Sequence, residues 1–292
     1  MKEDEDKNKL NTYEEELTNA NENFNVRESN GFLVNPLSNK MKDDIQKTGI
    51  GYNLNFDHFR SQDFIKVHSK KHILFAGCSN TFGEGIEYEK TWAYKLYKEI
   101  SKKEELSGYF NLGASGASIF ETLVNVHRYI RRYSMPDVIF LLFPEIERDI
   151  RYFIKPTISL TTIIAELYQE LEYLCNKSNT SLFSTSWLNM DEEKMGEFYN
   201  LQYKTVNNKY PGVGFYYFLE GINPYHELKM LQKHSSTFKV LNQKDIEKNL
   251  YEYSLTTKDK NIFVAPDSGK HHGEGFHYAW FKYFYERYTD GE

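Results

Sequence analysis

Cysteine is scarce in this chain, with Cys78 and Cys175 the only two among 292 residues. Two thiols cannot build the bridged framework of a small secreted domain, and both follow apolar strand or helix patterns, so no disulfide is expected and a reducing compartment is the simpler setting. Long apolar runs are lacking as well. None approaches the roughly 20 residues that span a bilayer, and residues 1–30 are charged and Asn-rich where a secretory signal needs an apolar segment, which predicts a cytoplasmic protein. Positive charge is not in excess: 36 Lys and Arg against 42 Asp and Glu leave a formal net charge of −6. With no stripe of Lys and Arg, neither nucleic acid nor a membrane surface is expected as a partner. No internal repeat is visible. What the chain does have is apolar mass, 40% of its residues, enough to bury a sizeable core.

The organisation changes along the chain. Residues 1–30 hold too few apolar side chains to offset the entropy of ordering them, and read as a disordered acidic tail whose less favoured role is docking to a protein partner. Residues 31–69 are turn-rich and read as an extended arm lying on the domain. From residue 70 onward strands alternate with helices. His72 to Gly77 is a short continuous apolar run of the kind buried on both faces of a parallel sheet. Thr91 is a candidate N-cap for a helix carrying Trp92, Leu96 and Ile100. Phe110 to Gly113 is a second strand, and Ile119, Leu123, Val126 and Ile130 mark the helix after it. Val138 to Phe143 is the strongest strand, Ile163 to Leu174 a further helix, and Ser181 to Ser184 a fourth strand. Asn261 to Ala265 reads as a fifth, and Phe276, Trp280 and Phe284 mark a closing helix. This rhythm predicts an α/β fold, a parallel sheet covered by helices on both faces. Residues 188–260 interrupt it and read as an insertion or lid. Within them Tyr210, Phe215, Tyr216, Tyr217, Phe218 and Tyr225 read first as that insertion's core, and second as a platform on which sugar rings could stack.

Residues able to carry chemistry cluster at two places. The first strand runs into Gly77-Cys78-Ser79-Asn80-Thr81-Phe82-Gly83-Glu84-Gly85, presenting Ser79 at the carboxyl end of the sheet, where open α/β folds place ligands. A phosphate-cradling loop would need Lys after its last glycine, and Glu84 stands there. A G-x-S-x-G elbow would need glycine where Thr81 stands. The second place is Pro266 to His277. Its His271, His272, Glu274 and His277 lack the H-E-x-x-H spacing or a cysteine partner, so no metal is expected.

The Ser79 segment, with Thr91-Trp92 after it and Phe59-Arg60-Ser61-Gln62-Asp63-Phe64 before it, resembles the first block of the SGNH hydrolases, the GDSL-like esterases and lipases, and in particular phage-encoded members with GCS in that block. Asn111-Leu112-Gly113-Ala114-Ser115-Gly116 is similar to the family's N-x-G-x-x-G block. Asp267 to His271 is similar to its terminal D-x-x-H, with one residue more between the two. The resemblance runs from about Phe59 to the C-terminus. It implies a three-layer αβα sandwich on a five-stranded parallel sheet of SGNH or flavodoxin-like type. It also implies a Ser-His-Asp relay: Ser79 as nucleophile, His271 as general base with His272 in reserve, Asp267 orienting the ring, and the N–H groups of Ser79 and Gly116 holding the oxyanion. The family's third block, G-x-N-D, is not matched, because Phe143-Pro144-Glu145-Ile146-Glu147-Arg148 carries no amide. Losing one oxyanion donor costs about 3 to 4 kcal/mol of transition-state stabilisation, so either Arg148 or another donor such as Asn80 substitutes, or the activity is slow or absent. The implied activity is that of a serine esterase acting, without a cofactor, on a small-molecule or glycan ester such as an O-acetyl group on a carbohydrate. The alternative is a catalytically degraded SGNH-like domain with a binding or structural role, virion-associated if the source is viral.

Overall fold

The computed structural model describes residues 27–34, 45, 48–67, 69–144, 160–186, 235, 237–239, 243–257, 265 and 271–291. A hairpin of β1 (Arg27–Ser29) and β2 (Phe32–Val34) comes first. The alternating part follows as β3 (Ile73–Gly77), α1 (Ser79–Phe82), α2 (Trp92–Ile100), β4 (Phe110–Gly113), α3 (Ile119–Arg132), β5 (Val138–Phe143), α4 (Leu160–Ser178) and β6 (Ser181–Ser186). Helices α5 (Gln243–Thr256) and α6 (Glu274–Asp290) close it. The main sheet is parallel throughout, in the order β4-β3-β5-β6.

The continuous apolar runs are buried on both faces because successive side chains point to opposite sides of a strand. Leu74, Ala76, Ile139, Leu141 and Phe143 join one core with Leu112 of β4, Leu123 and Val126 of α3, and Leu167 and Leu171 of α4. Their neighbours Ile73, Phe75, Val138, Phe140 and Leu142 join the other with Trp92 and Leu96 of α2, and Trp280 and Phe284 of α6. Register fixes this second layer. Phe75 lies opposite Phe140, and Phe140 opposite Phe183, so the three rings stack across three strands at centroid separations of 5.5 and 5.2 Å. Thr91 caps α2 as its sequence predicts, its hydroxyl accepting from the Tyr94 N–H at 3.4 Å. A capping box between Ser118 and Glu121 starts α3.

The stretch before β3 belongs to this body. Phe59 and Phe64 are buried with Phe32, Phe59 edge-on to Phe32 at 5.4 Å. Between them, Ser61 and Gln62 satisfy the outer edge of β4. The Ser61 hydroxyl donates to the Tyr109 carbonyl and accepts from the Asn111 N–H, both at 3.0 Å, and Gln62 Oε1 accepts from the Tyr109 N–H at 3.1 Å. An open edge that would otherwise invite another strand is thus closed by side chains. The hairpin turns on Asn30 and Gly31, both at positive φ (53° and 79°), the backbone that a two-residue turn of this hand requires. Its first strand begins inside the stretch expected to be a disordered tail; residues 1–26 lie outside the described residues.

Of the five strands expected in the sheet, four are described. Residues 261–264 lie outside the described residues, and Ala265 donates its N–H to the His271 carbonyl at 3.0 Å. Beside β6 lies instead Phe238, from the stretch read as an insertion, which forms a single parallel bridge with Ser184. Helix α5 falls in the same stretch and packs Ile246 and Leu250 into the second core. No helix among the described residues is long and apolar enough to cross a membrane.

Candidate active site

The strand order makes β3 the point where the chain reverses its direction of travel across the sheet, with β4 on one side and β5 on the other. Helix α2 after β3 and helix α4 after β5 pack on opposite faces of the sheet, the arrangement at whose carboxyl edge open α/β folds bind ligands. Ser79, 2% exposed, stands at that edge as the first residue of α1. Gly77 before it has φ +155°, and an added Cβ would meet the Leu142 carbonyl at 2.4 Å. No other residue type fits there without movement of β5.

The turn after Ser79 is bound from every side. Its carbonyl accepts the N–H groups of Gly83 (2.8 Å) and Glu84 (3.0 Å). Arg60, buried, donates from Nη1 to the carbonyls of Gly83 (2.7 Å) and Ile86 (2.9 Å), so the carbonyls at the end of α1 are met by a cation. That guanidinium stands over the Tyr52 and Tyr88 rings, 4.8 and 5.6 Å from their centroids, and burial lowers its pKa. On the other side Asn111 donates from Nδ2 to the Thr81 carbonyl (3.0 Å), while its Oδ1 accepts from the Gly113 N–H (2.7 Å). An added Cβ at Gly113 would meet the Phe82 nitrogen at 2.4 Å. The Asn and first Gly of the second motif therefore let α1 sit directly on β4. Gly116, the last glycine of that motif, lies in the following turn at φ +71°, a conformation that favours glycine.

The C-terminal motif comes to the same edge. His271 Nε2 lies 3.5 Å from Glu84 Oε2, and Glu84 also accepts the Ser115 hydroxyl at 2.5 Å. The neighbouring His272 turns the other way, its ring against Phe276 (4.5 Å) and Trp280 (5.3 Å) of α6. His277 is locked: its Nδ1 accepts the Trp92 N–H at 3.1 Å, tying α6 to the start of α2, and burial holds its pKa well below the ordinary imidazole value. Three histidines that look alike in the sequence thus occupy three settings, and His271 is the one that faces the Ser79 turn. Among the described residues no group of three His, Cys, Asp or Glu side chains could hold a metal ion.

The Ser79 hydroxyl has no hydrogen-bond partner among the described residues, and the carboxamide of Asn80, 4% exposed, has none either. Asp267, Arg148 and the aromatic residues from Tyr210 to Tyr225 lie outside the described residues. Two residues that hold the site were not singled out as functional in the sequence. Glu84 stood there as the residue that disqualifies a phosphate loop, and Arg60 as part of a motif. Their roles come from partners at least 22 residues away, which spacing cannot supply.

No family model matches the chain, and no curated protein matches it. Solved structures do. A member of the lipolytic protein G-D-S-L family from Veillonella parvula DSM 2008 aligns over 74% of this chain and 97% of its own, at 15% identity and TM-score 0.42. The psychrotrophic esterase EstA from Pseudoalteromonas sp. aligns over 75% and 97%, at 11% identity and TM-score 0.43. The acetyl xylan esterase Est2A from Butyrivibrio proteoclasticus aligns over 78% and 66%, at 12% identity and TM-score 0.38. At these values the likenesses transfer neither an activity nor a residue role to this chain.

Proposed function

We propose that the chain is a serine esterase that hydrolyses a small ester through an acyl-enzyme. Ser79 attacks the carbonyl carbon, and His271 takes the hydroxyl proton and returns it to the departing alcohol. Water then repeats the sequence on the acyl group and regenerates the serine. Asp267 orients the imidazole in this reading. The N–H groups of Ser79 and Gly116 receive the oxyanion, and the Asn80 carboxamide or Arg148 stands in for the amide that the third motif lacks. A carbohydrate O-acetyl group is the proposed substrate. No cofactor enters this chemistry.

One observation carries the reading. The turn that begins with Ser79, a buried residue whose hydroxyl has no partner among the described residues, is the turn whose carboxylate meets a histidine from 187 residues further along, 3.5 Å away. A bland account of Ser79, as a turn residue bonded to its own backbone, would give that hydroxyl a partner. The test is hydrolysis of p-nitrophenyl acetate. Ser79→Ala is expected to lower kcat/KM by roughly 10⁴-fold or more, His271→Ala by a comparable factor, and His272→Ala by less than about tenfold. Turnover that survives Ser79→Ala rejects the proposal.

A further inference from the structure

Glu84 is the residue of this site to which no role has been given. It is 7% exposed, and among the described residues the His271 ring is the basic side chain within ion-pair distance of it. A carboxylate taken out of water needs hydrogen bonds and a partner that can bear positive charge. Glu84 has the Ser115 hydroxyl at 2.5 Å and the His271 ring at 3.5 Å. Its backbone is fixed as well. The Glu84 N–H donates to the Ser79 carbonyl, the Gly85 N–H donates to the Tyr52 hydroxyl at 2.7 Å, and the glycines on either side have φ +79° and +75°. One side chain therefore joins three segments: the turn that carries the serine, the turn that carries Gly116, and the segment that carries the base.

From this we infer that Glu84 is a positioning residue for the reaction, a carboxylate whose fixed charge beside the His271 ring stabilises the imidazolium formed when Ser79 gives up its proton, and which through Ser115 sets the turn that presents the Gly116 N–H. The inference rests on the esterase reading. Its chemistry is that of a fixed negative charge beside a ring that becomes positive only as the reaction proceeds, so the benefit falls on the transition state and not on substrate binding.

Glu84→Gln keeps the shape and removes the charge. It is expected to lower kcat for p-nitrophenyl acetate by about tenfold or more while KM stays within about twofold. Ser115→Ala, which removes the tie to the turn and keeps the Glu84 charge, is expected to lower kcat roughly two- to fivefold. Glu84→Asp, with the charge one methylene short, should fall between wild type and Glu84→Gln. An independent readout is the ring ¹⁵N spectrum of His271 at fixed pH, which reports the proton's place on the imidazole: it should move in Glu84→Gln and stay put in Ser115→Ala, with His272 unmoved in both. A Glu84→Gln variant with kcat within twofold of wild type, or one in which KM rises as kcat falls while the His271 spectrum is unchanged, overturns the inference. Should Glu84→Gln not fold, Glu84→Asp decides by the same two readouts. Wild-type protein without Ser79-dependent turnover would reject the esterase reading, and the ring spectra would still show whether the Glu84 charge acts on His271.

Discussion

Ser184 and Ser79 are both buried at this sheet, and their surroundings differ. Ser184, in β6, has its hydroxyl 2.5 Å from the Tyr168 hydroxyl, which is 2.6 Å from that of Thr237, which in turn donates to Glu172 at 2.7 Å. Arg287 closes the same edge by donating to the carbonyls of Ser184 (3.2 Å) and Thr237 (3.1 Å). Ser79, just past β3, sits in a turn where Arg60, Asn111 and Glu84 are all bonded, yet its own hydroxyl has no partner among the described residues. The fold ties Ser184 into a network with Tyr168, Thr237 and Glu172 and leaves the Ser79 hydroxyl without a partner among the described residues, inside a turn held from all sides, as the proposed nucleophile requires.

The sharpest way to break this comparison is to treat the two serines alike. Ser184→Ala is expected to leave kcat for p-nitrophenyl acetate within about twofold of wild type while lowering the unfolding free energy by about 1 to 2 kcal/mol in urea melts, because the Tyr168 hydroxyl loses a partner. Ser79→Ala should show the reverse, abolished turnover with stability unchanged or slightly raised. Equal behaviour in both assays would erase the distinction.

The arginines at the two edges give a second contrast. Arg60→Met leaves the carbonyls of Gly83 and Ile86 unmet and is expected to cost about 3 kcal/mol together with a fall in kcat, since these carbonyls belong to the serine's own turn. Arg287→Met should cost a similar amount of stability with kcat retained. Loss of activity in Arg287→Met alone would place the functional edge at β6.

The amino end of β3 offers a third setting, a titratable group with both ring nitrogens occupied. His72 Nε2 lies 2.8 Å from the Tyr129 hydroxyl and Nδ1 3.3 Å from the Ser134 hydroxyl. Burial lowers its pKa from 6.5 to about 4. Above pH 6.5 the ring is neutral in folded and unfolded chains alike and contributes no pH dependence. Between 6.5 and about 4 the unfolded chain takes up a proton that the folded chain refuses, so stability falls as pH falls through that window, by a total of about 3 kcal/mol. His277 and His127, their pKa values also lowered by burial, act in the same direction. Urea melts from pH 7 to 4 should show this slope, and His72→Gln should flatten part of it; an unchanged slope in that variant would remove His72 as a source.

Much of the architecture is legible in the residues because each apolar run does one job. Ile73 to Gly77 and Val138 to Phe143 are too short and too uniformly apolar for surface helices, and the fold buries every one of them. Thr91 and the i, i+4 rows of α2, α3 and α6 mark helices whose inner faces the structure reproduces. The hairpin at the junction of tail and arm is marked by Asn30-Gly31 alone, because three-residue strands carry almost no alternation signal. Helix α5 is marked by Ile246, Leu250 and Tyr253 at helical spacing, submerged in a polar, aromatic stretch. The site divides in the same way. The candidates Ser79, Gly116 and His271 follow from motif and order, whereas Arg60 and Glu84 are tied to them through partners that the fold alone brings near. Choosing between His271 and His272 is likewise a question of facing: the ring packed on Trp280 is His272, and the ring beside Glu84 is His271.

The central claim is that a hydroxyl at the end of β3 is made reactive by an imidazole from the segment before α6. Reaction with a fluorophosphonate, followed by peptide mass mapping, tests it without assuming a substrate. The account predicts one adduct, on Ser79, formed at a rate that collapses in His271→Ala and persists in His272→Ala. Absence of that adduct, or its formation at an undiminished rate without His271, would contradict it.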